Sequence, residues 1–407
     1  MQLKRLISNR LIKTWYIVLS RIIGFFVNNK DSDLILFGAR DGAYFMDNSR
    51  SLYEWFNAHQ PNQNYYWVTL NPQLKAFLEA KGLRVARIDS LKGVMLLNKA
   101  KYAFFTNRLR DVAIDYRAVP KGLKLIFLSH GQSVKNTRLA VKAGVDAGYR
   151  KDTLIASSQM EFAISTSPFM AKVQAESNGL KPEMYKVLGF PRNDWMIKPP
   201  LVAQQDWNRF TAGKSYAKVV LYAPTWRRKE PKTMMFPFDD LDVVKLVNYL
   251  EQENILLLLR LHVQDLEDNK QCVSLIKKLT SVSPNIRLAT INEFVEANFL
   301  LPFVDALISD YSSIYHDFLL LNRPIYFIPY DLENFEKENG FKYPYLDYLP
   351  GPILSSQSDL INHLQALVNE TDQYSIHRAR LSDMIYTFQD GNSCERIAKE
   401  VLSSRKS

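Results

Sequence analysis

From Asp33 onward the chain alternates short apolar runs with amphipathic segments of helical length. That alternation restricts the fold to the α/β class with parallel sheets, because a parallel strand needs a crossover of a dozen or more residues and a helix laid on the sheet is its usual form. The first series of expected strands covers residues 33–37, 65–69, 102–106, 123–129, 153–156 and 185–188. The second covers residues 219–222, 255–259, 286–288, 306–309 and 325–328. Between them Lys198, Pro199 and Pro200 open a polar stretch to Lys214 that reads as an interdomain connection. The chain is 407 residues long, enough for two domains that each bury a core, and its 47% hydrophobic and 23% charged residues are those of a globular protein. We therefore expect two doubly wound domains facing a cleft, at residues 31–200 and 215–375, with residues 376–407 as C-terminal helices packing back on the first domain. Neither GxGxxG nor GxxxxGK[ST] occurs, which weakens a nicotinamide or P-loop reading.

Residues 1–30 predict something different. On a helix, Leu11, Ile12, Trp15, Val18, Leu19, Ile22, Ile23 and Phe26 share one broad face, while Arg10, Lys13, Thr14, Ser20 and Arg21 lie opposite. Lys4 and Arg5 extend the charge. The segment has no small-residue cleavage site, and Lys13 and Arg21 interrupt its apolar run, so it fits neither a signal peptide nor a spanning helix. An apolar face with aromatic residues backed by basic ones is what an interfacial helix needs on an anionic leaflet. The formal net charge of +10 favours anionic partners in general. Two isolated cysteines, Cys272 and Cys394, imply no disulfide framework and no zinc knot, and point to a reducing cytoplasm. A peripheral protein on the cytoplasmic face of the membrane follows.

In doubly wound sheets ligands bind beyond the carboxyl ends of the strands, so the residues just after each strand are the candidates. Leu125 to Ser129 gives way to His130 and Gly131, an imidazole beside a residue that lets the backbone approach a ligand. Residues 255–259 lead into Arg260, Leu261 and His262, whose first and last side chains share a face in extended backbone. Two of the six histidines thus stand at what read as corresponding strand ends in the two domains. The run Ser309, Asp310, Tyr311, Ser312, Ser313 ends another strand with a carboxylate and hydroxyls before a helix, a place suited to phosphate, although a simple helix cap would look the same. Tyr222 to Arg227 ends a strand with the Thr225 hydroxyl and the Arg227 guanidinium.

Taken in order, these segments resemble the CDP-glycerol glycerophosphotransferase family, whose members build teichoic acids and related polyol-phosphate capsular polymers. His130-Gly131-Gln132-Ser133-Val134-Lys135 is similar to the family's HGTPLK, Tyr222 to Arg227 to YAPTWR, Arg260 to His262 to RxH and Ser309 to Ser313 to TDYSS. Gly189 with Pro191 to Asp194 resembles GxPRND, Tyr330 to Phe335 resembles YDLExY, Pro350-Gly351-Pro352 resembles PGP, and Asp390-Gly391 with Arg396 resembles DG…R. Gln132, Ser133, Ser309 and Val263 depart from the pattern, which touches donor and acceptor identity more than reaction type.

The resemblance implies a GT-B-like fold of two Rossmann-like domains, a monotopic membrane habit, and a CDP-glycerol or CDP-ribitol donor that releases CMP. It implies His130 as the base that takes the proton of the acceptor hydroxyl, with His262 as its catalytic partner across the cleft. Donor binding would fall to Thr225, Arg227, Arg260, Ser309, Asp310, Ser312, Ser313 and Glu333, and Gly131, Lys135 and Asn48 would lie on the acceptor side. The acceptor would be a lipid-linked or polymeric polyol phosphate. No cofactor is required by these motifs, no metal ligands are named, and a Mg²⁺ requirement is left open. Competing readings are a GT-B glycosyltransferase that uses a nucleotide-sugar and a membrane adaptor without activity. Nucleic-acid binding is disfavoured, because the basic residues are spread and no reader motif is present.

Overall fold

The computed structural model describes residues 10–27, 30–227 and 232–403. Lys4 and Arg5 of the expected basic extension lie outside the described residues. Two wholly parallel sheets are present. The first has seven strands, β1 (Asp31–Phe37), β2 (Tyr65–Thr69), β3 (Val85–Arg87), β4 (Ala100–Phe105), β5 (Lys124–Phe127), β6 (Met160–Ser165) and β7 (Tyr185–Val187), in the order β3-β2-β1-β4-β5-β6-β7. The second has five, β8 (Lys218–Tyr222), β9 (Ile255–Leu259), β10 (Ile286–Leu288), β11 (Ala306–Ser309) and β12 (Ile325–Phe327), in the order β10-β9-β8-β11-β12. The chain reverses direction across each sheet at its first strand, β1 or β8, and there the crossovers part to opposite faces and leave a crevice.

Both faces of each sheet are covered, which explains why the strands read as continuous apolar runs rather than alternating ones. In β1, Ile35 and Phe37 pack with Tyr53 and Phe56 of the helix Asp47–His59, while Leu34 and Leu36 pack on the other face with Val94 and Leu97 of the helix Leu91–Lys99. All five residues of β9 are buried. The helix Ser393–Ser403 returns to the first sheet: Cys394, Ile397, Ala398 and Val401 join the core of Ile35 and Phe37. Its amino end is held by Asp194, whose carboxylate accepts the backbone N–H groups of Ser393 at 2.9 Å and Cys394 at 2.8 Å.

Some expectations are corrected. Residues 153–156 are not a strand but the last turns of the helix Ala147–Ser158, whose first turn is capped by Asp146 accepting from the Tyr149 N–H. The strand lies just beyond, at Met160–Ser165, and the short stretch Thr153-Leu154-Ile155 suits a strand only as long as the cap before it is overlooked. The three-residue β3 at the sheet edge is too short to show any period. The polar stretch after Pro200 is the helix Leu201–Thr211, which buries Ala203 and Phe210.

The helix Arg10–Phe26 divides the expected apolar face. Tyr16 and Ile17 are buried in a core on the first sheet with Leu19 and Ile23 beside them, and Ser20, expected on the polar side, is buried as well. Its hydroxyl donates to the Ala118 carbonyl at 2.7 Å and accepts from the Asn98 amide at 3.0 Å. Leu11, Trp15, Val18, Ile22, Phe25 and Phe26 form a narrower stripe that stays exposed, Leu11 and Phe25 by about four-fifths. No helix among the described residues is long and apolar enough to cross a membrane.

Candidate active site

The two sheets repeat one order, with β1 equivalent to β8, β2 to β9 and β4 to β11. His130 follows β5 and His262 follows β9, so the two histidines leave non-equivalent strands, against the expectation of matching positions. Both nevertheless face charges that converge from the two halves.

After β5 the backbone turns sharply: Ser129 takes φ +56° and Gly131 φ +133°. A Cβ at Gly131 would run into the guanidinium of Arg192, so the glycine allows both this turn and the close approach of a cation. His130 is half-buried, and its buried Nδ1 has no hydrogen-bond partner among the described residues. Burial first, then the positive charges of Arg40, Arg138 and Arg192 set against Asp47, push its pKa down to about 3, so the ring is neutral near pH 7. It lines a cavity of about 140 Å³ together with Lys135 and Arg138 from its own half and Ser313 and Lys342 from the other.

His262 is the N-cap of the helix Val263–Asp268. Its Nδ1 accepts the Gln264 N–H at 3.2 Å and its ring stacks on Trp226 at 5.2 Å. A neutral ring that accepts at Nδ1 carries its proton on Nε2, so that edge is a donor. Burial lowers its pKa, and Lys135 and Arg40 of the first half lower it further against Asp265. Arg40 therefore acts on both imidazoles.

Lys135 is pushed down to about 8 by burial, with Asp310 and Arg227 of the second half among the charges acting on it. Lys342 is pushed down to about 7 by burial and by Arg138 and Lys135. The loop that carries Lys342 is laced to the loop after His130: Lys342 N–H donates to the Val134 carbonyl at 2.7 Å and Asn136 N–H to the Gly340 carbonyl at 3.0 Å. Thr225 donates its N–H to Asp310 at 2.8 Å, and its buried hydroxyl has no partner among the described residues. Ser312 and Ser313 are half-buried, and Ser313 stands at the start of the helix Ile314–Leu319 without capping it.

Other expected site residues are occupied by the protein itself. Arg227 is buried under Tyr311, Tyr330 and Phe335, donates from Nε and Nη2 to Asp331 at 2.8 Å each and from Nη1 to Asp310 at 2.8 Å, and also reaches the Thr225 carbonyl. Its donors are spent on these partners, so it shapes the pocket rather than holding a phosphate. Asp310 is held by the same pair of partners, and Ser309 is buried with its hydroxyl on the Ala223 carbonyl at 2.8 Å. Arg260 donates to the carbonyls of Ala289, Thr290 and Phe294 and so braces the loop after β10 instead of facing the cleft beside His262. Asn48 is buried and saturated, donating to the Leu128 and Ser129 carbonyls and accepting the Arg192 N–H. Glu333 is exposed in the first turn of the helix Leu332–Glu338, and its neighbour Asp331 is the acid that reaches the site.

Arg40, Asp47, Asp317 and Lys342 escaped the sequence reading. Arg40 could have been found, because it lies three residues past β1 and the strand-end rule applies there too. Among the described residues no group of three His, Cys, Asp or Glu side chains is placed to hold a metal.

Residues 21–403 match the family model described as CDP-Glycerol:Poly(glycerophosphate) glycerophosphotransferase. The chain is 27% identical over 327 residues to the teichoic acid ribitol-phosphate polymerase TarL of Staphylococcus aureus, covering 78% of this chain and 54% of that one. It is 26% identical over 405 residues to a teichoic acid poly(glycerol phosphate) polymerase of Bacillus spizizenii, covering 95% of this chain and 96% of that one. The chain spans about half the length of several of the curated relatives it matches. Its fold is shared with the wall teichoic acid polymerase TagF, with a TM-score of 0.75 at 21% identity over 100% of this chain and 97% of that one.

Proposed function

The chain belongs to the CDP-glycerol:poly(glycerophosphate) glycerophosphotransferase family, and on that premise we propose that it moves a polyol phosphate from a CDP-polyol to a hydroxyl of a teichoic-acid-like or capsular acceptor. Glycerol phosphate is the first choice of cargo, and CMP is the leaving group. The reading is carried by one observation: a neutral, unpartnered imidazole, that of His130, lines a cavity shared with Ser313 and Lys342 of the other half.

In this reading the acceptor oxygen attacks the phosphorus that bears the polyol, its proton passes to His130, and the bond from that phosphorus to CMP breaks. A base whose pKa lies near 3 holds a proton poorly while Arg40, Arg138 and Arg192 stand around it. The donor's diphosphate neutralises those charges on entering, which raises the basicity of the ring when it is needed. His262 donates from Nε2 to the departing phosphate, helped by the free hydroxyl of Thr225 and by Ser312 and Ser313. Lys135 and Lys342 offset the negative charge that gathers as the bond breaks.

The exposed stripe Leu11, Trp15, Val18, Ile22, Phe25 and Phe26 supports a place at the membrane surface, with the exposed Arg10 and Arg21 alongside it to meet anionic headgroups. The acceptor is then lipid-linked and the leaflet the cytoplasmic one. Purified protein incubated with CDP-glycerol, CDP-ribitol or nucleotide-sugars and a lipid-linked acceptor tests the activity by mass spectrometry. A product that gains polyol phosphate supports it, and a product that gains only sugar, or none with any donor, overturns it.

A further inference from the structure

A second cavity, of about 330 Å³, lies beside the catalytic one and is lined by six cationic side chains, Lys13, Arg108, Arg110, Arg117, Arg138 and Lys151, against two carboxylates, Asp115 and Asp152. One of the acids is already spent, because Arg117 pairs with Asp115 through Nε at 2.8 Å and Nη2 at 3.0 Å. Among the described residues no carboxylate forms an ion pair with Arg108, Arg110, Arg138 or Lys151. Arg108 lies over the Tyr149 ring at 4.7 Å and Arg138 over the Phe127 ring at 4.9 Å, and Arg138 also donates from Nη2 to the Asn107 carbonyl. Arg138 is half-buried, and the desolvation of its guanidinium lowers its pKa. Of the six, Lys13, Arg110 and Arg138 are half-buried and Arg108, Arg117 and Lys151 exposed, and a concave surface lined by one sign of charge focuses its field and draws an anion in.

Position narrows the choice of anion. Arg138 lines this cavity and the His130 cavity alike, so an occupant touching it is next to the base. Lys13, on the helix whose apolar stripe is exposed, also lines the second cavity. The cavity therefore runs from the helix to the catalytic histidine, and its volume is at the lower end of the range for small-ligand pockets. We propose that it seats a phosphodiester of the acceptor chain, one unit behind the hydroxyl that attacks, so that the growing end is held by charge while His130 takes its proton. This rests on the transfer activity proposed above. The same chemistry would suit the phosphate of an anionic lipid headgroup, which the experiment separates.

The test uses the full chain with Arg110→Gln and Lys151→Gln combined, two side chains away from the reacting groups, after its melting temperature is shown to equal the wild type's. Binding of a soluble glycerol phosphate trimer, measured by calorimetry without donor or vesicles, should weaken by tenfold or more. The acceptor KM should rise by a similar factor while the CDP-glycerol KM and co-sedimentation with phosphatidylglycerol vesicles stay as in the wild type. Equal trimer affinity in variant and wild type overturns the proposal. So does loss of vesicle binding with trimer affinity kept, which assigns the cavity to a lipid headgroup. The trimer is measured without turnover, so a wild-type protein that transfers no polyol phosphate would defeat the activity reading and leave the binding result standing.

Discussion

Arg192, held in the first half by the turn after β7, donates through Nη2 to Oδ2 of Asp317 on the helix Ile314–Leu319 of the second half, at 2.6 Å. Its Nη1 reaches Asp47 at 3.3 Å, and its guanidinium packs against the Cα of Gly131. Burial alone would lower its pKa, but the carboxylates of Asp317 and Asp47 more than offset this and raise it. One buried cation thus fixes how the halves meet and where the backbone beside His130 lies.

Asp317→Ala should expose the consequence. Breaking a buried pair by removing one partner leaves a charge without compensation and costs about 3–5 kcal/mol. Denaturant unfolding should show a loss of that order, and transfer should fall with it because Gly131 loses its backing. A variant of unchanged stability would mean that Arg192 is satisfied by Asp47 alone.

A second link between the halves is sensitive to pH. Glu296 accepts the Asp47 N–H at 2.6 Å, and burial first, then the charge of Asp47, pushes its carboxyl up to about 7. A carboxyl whose folded pKa lies above its unfolded value, about 4.3, contributes stability that is present below pH 4 and is lost as pH climbs through 7. Glu296→Gln keeps an acceptor oxygen and cannot ionise. It should match the wild type near pH 4 and exceed it at pH 8 by up to about 3 kcal/mol, read as a difference in thermal midpoints at the two pH values.

His130→Ala should reduce turnover by about 10²–10⁴-fold, the usual contribution of a positioned base. The affinity for CDP-glycerol should stay close to wild type, because the ring makes no hydrogen bond that shapes the pocket. Radiolabel transfer and donor calorimetry on the same preparation check the two halves of this statement, and near-normal turnover removes His130 from the role.

The exposed stripe on the first helix predicts its own separation of effects. Trp15, Phe25 and Phe26 are more than half exposed, whereas Tyr16 and Ile17 on the same helix are buried in the first core. Replacing the first three by serine should abolish co-sedimentation with anionic vesicles and leave the melting temperature unchanged. Loss of folding would show instead that the stripe packs on the protein.

The fold was legible because its signal is repeated: apolar runs such as Ile255 to Leu259 recur at crossover spacing and need no tertiary information. Of the residues expected from the strand-end rule, His130 and Ser313 line one cavity, His262 is exposed and stacks on Trp226, and Thr225 keeps a buried hydroxyl without a partner among the described residues. Arg227, Arg260 and Asn48 carry equally suggestive side chains at equally suggestive positions. What separates them is whether their donors are already used, by Asp331 and Asp310, by the carbonyls of residues 289–294, or by the Leu128 and Ser129 carbonyls. Satisfaction is a property of partners distant in the chain, such as residues 227 and 331, and no local pattern encodes it. The N-terminal helix fails for a related reason: its periodicity gives one apolar face, and only packing decides that Tyr16 turns inward while Trp15 stays out.

His262 poses the sharpest separation of structure from chemistry, since one ring does both. Nδ1 caps the helix Val263–Asp268 by accepting the Gln264 N–H, and that leaves Nε2–H as the edge offered to the departing phosphate. An alanine would remove cap and donor together and could not tell a fallen helix from a lost hydrogen bond. Asparagine is among the strongest capping residues and can accept the same N–H through its side-chain oxygen, while its shorter side chain does not reach where Nε2 stood. His262→Asn should therefore melt within about 0.5 kcal/mol of the wild type, where an uncapped helix end would lose about 1 kcal/mol. If Nε2 donates in the transition state, kcat should fall by about 10²-fold, the scale for losing one such donor, with the CDP-glycerol KM little changed. Should the variant melt like the wild type and also turn over like it, the ring is only a cap, and charge stabilisation on CMP falls to Thr225 and the serines.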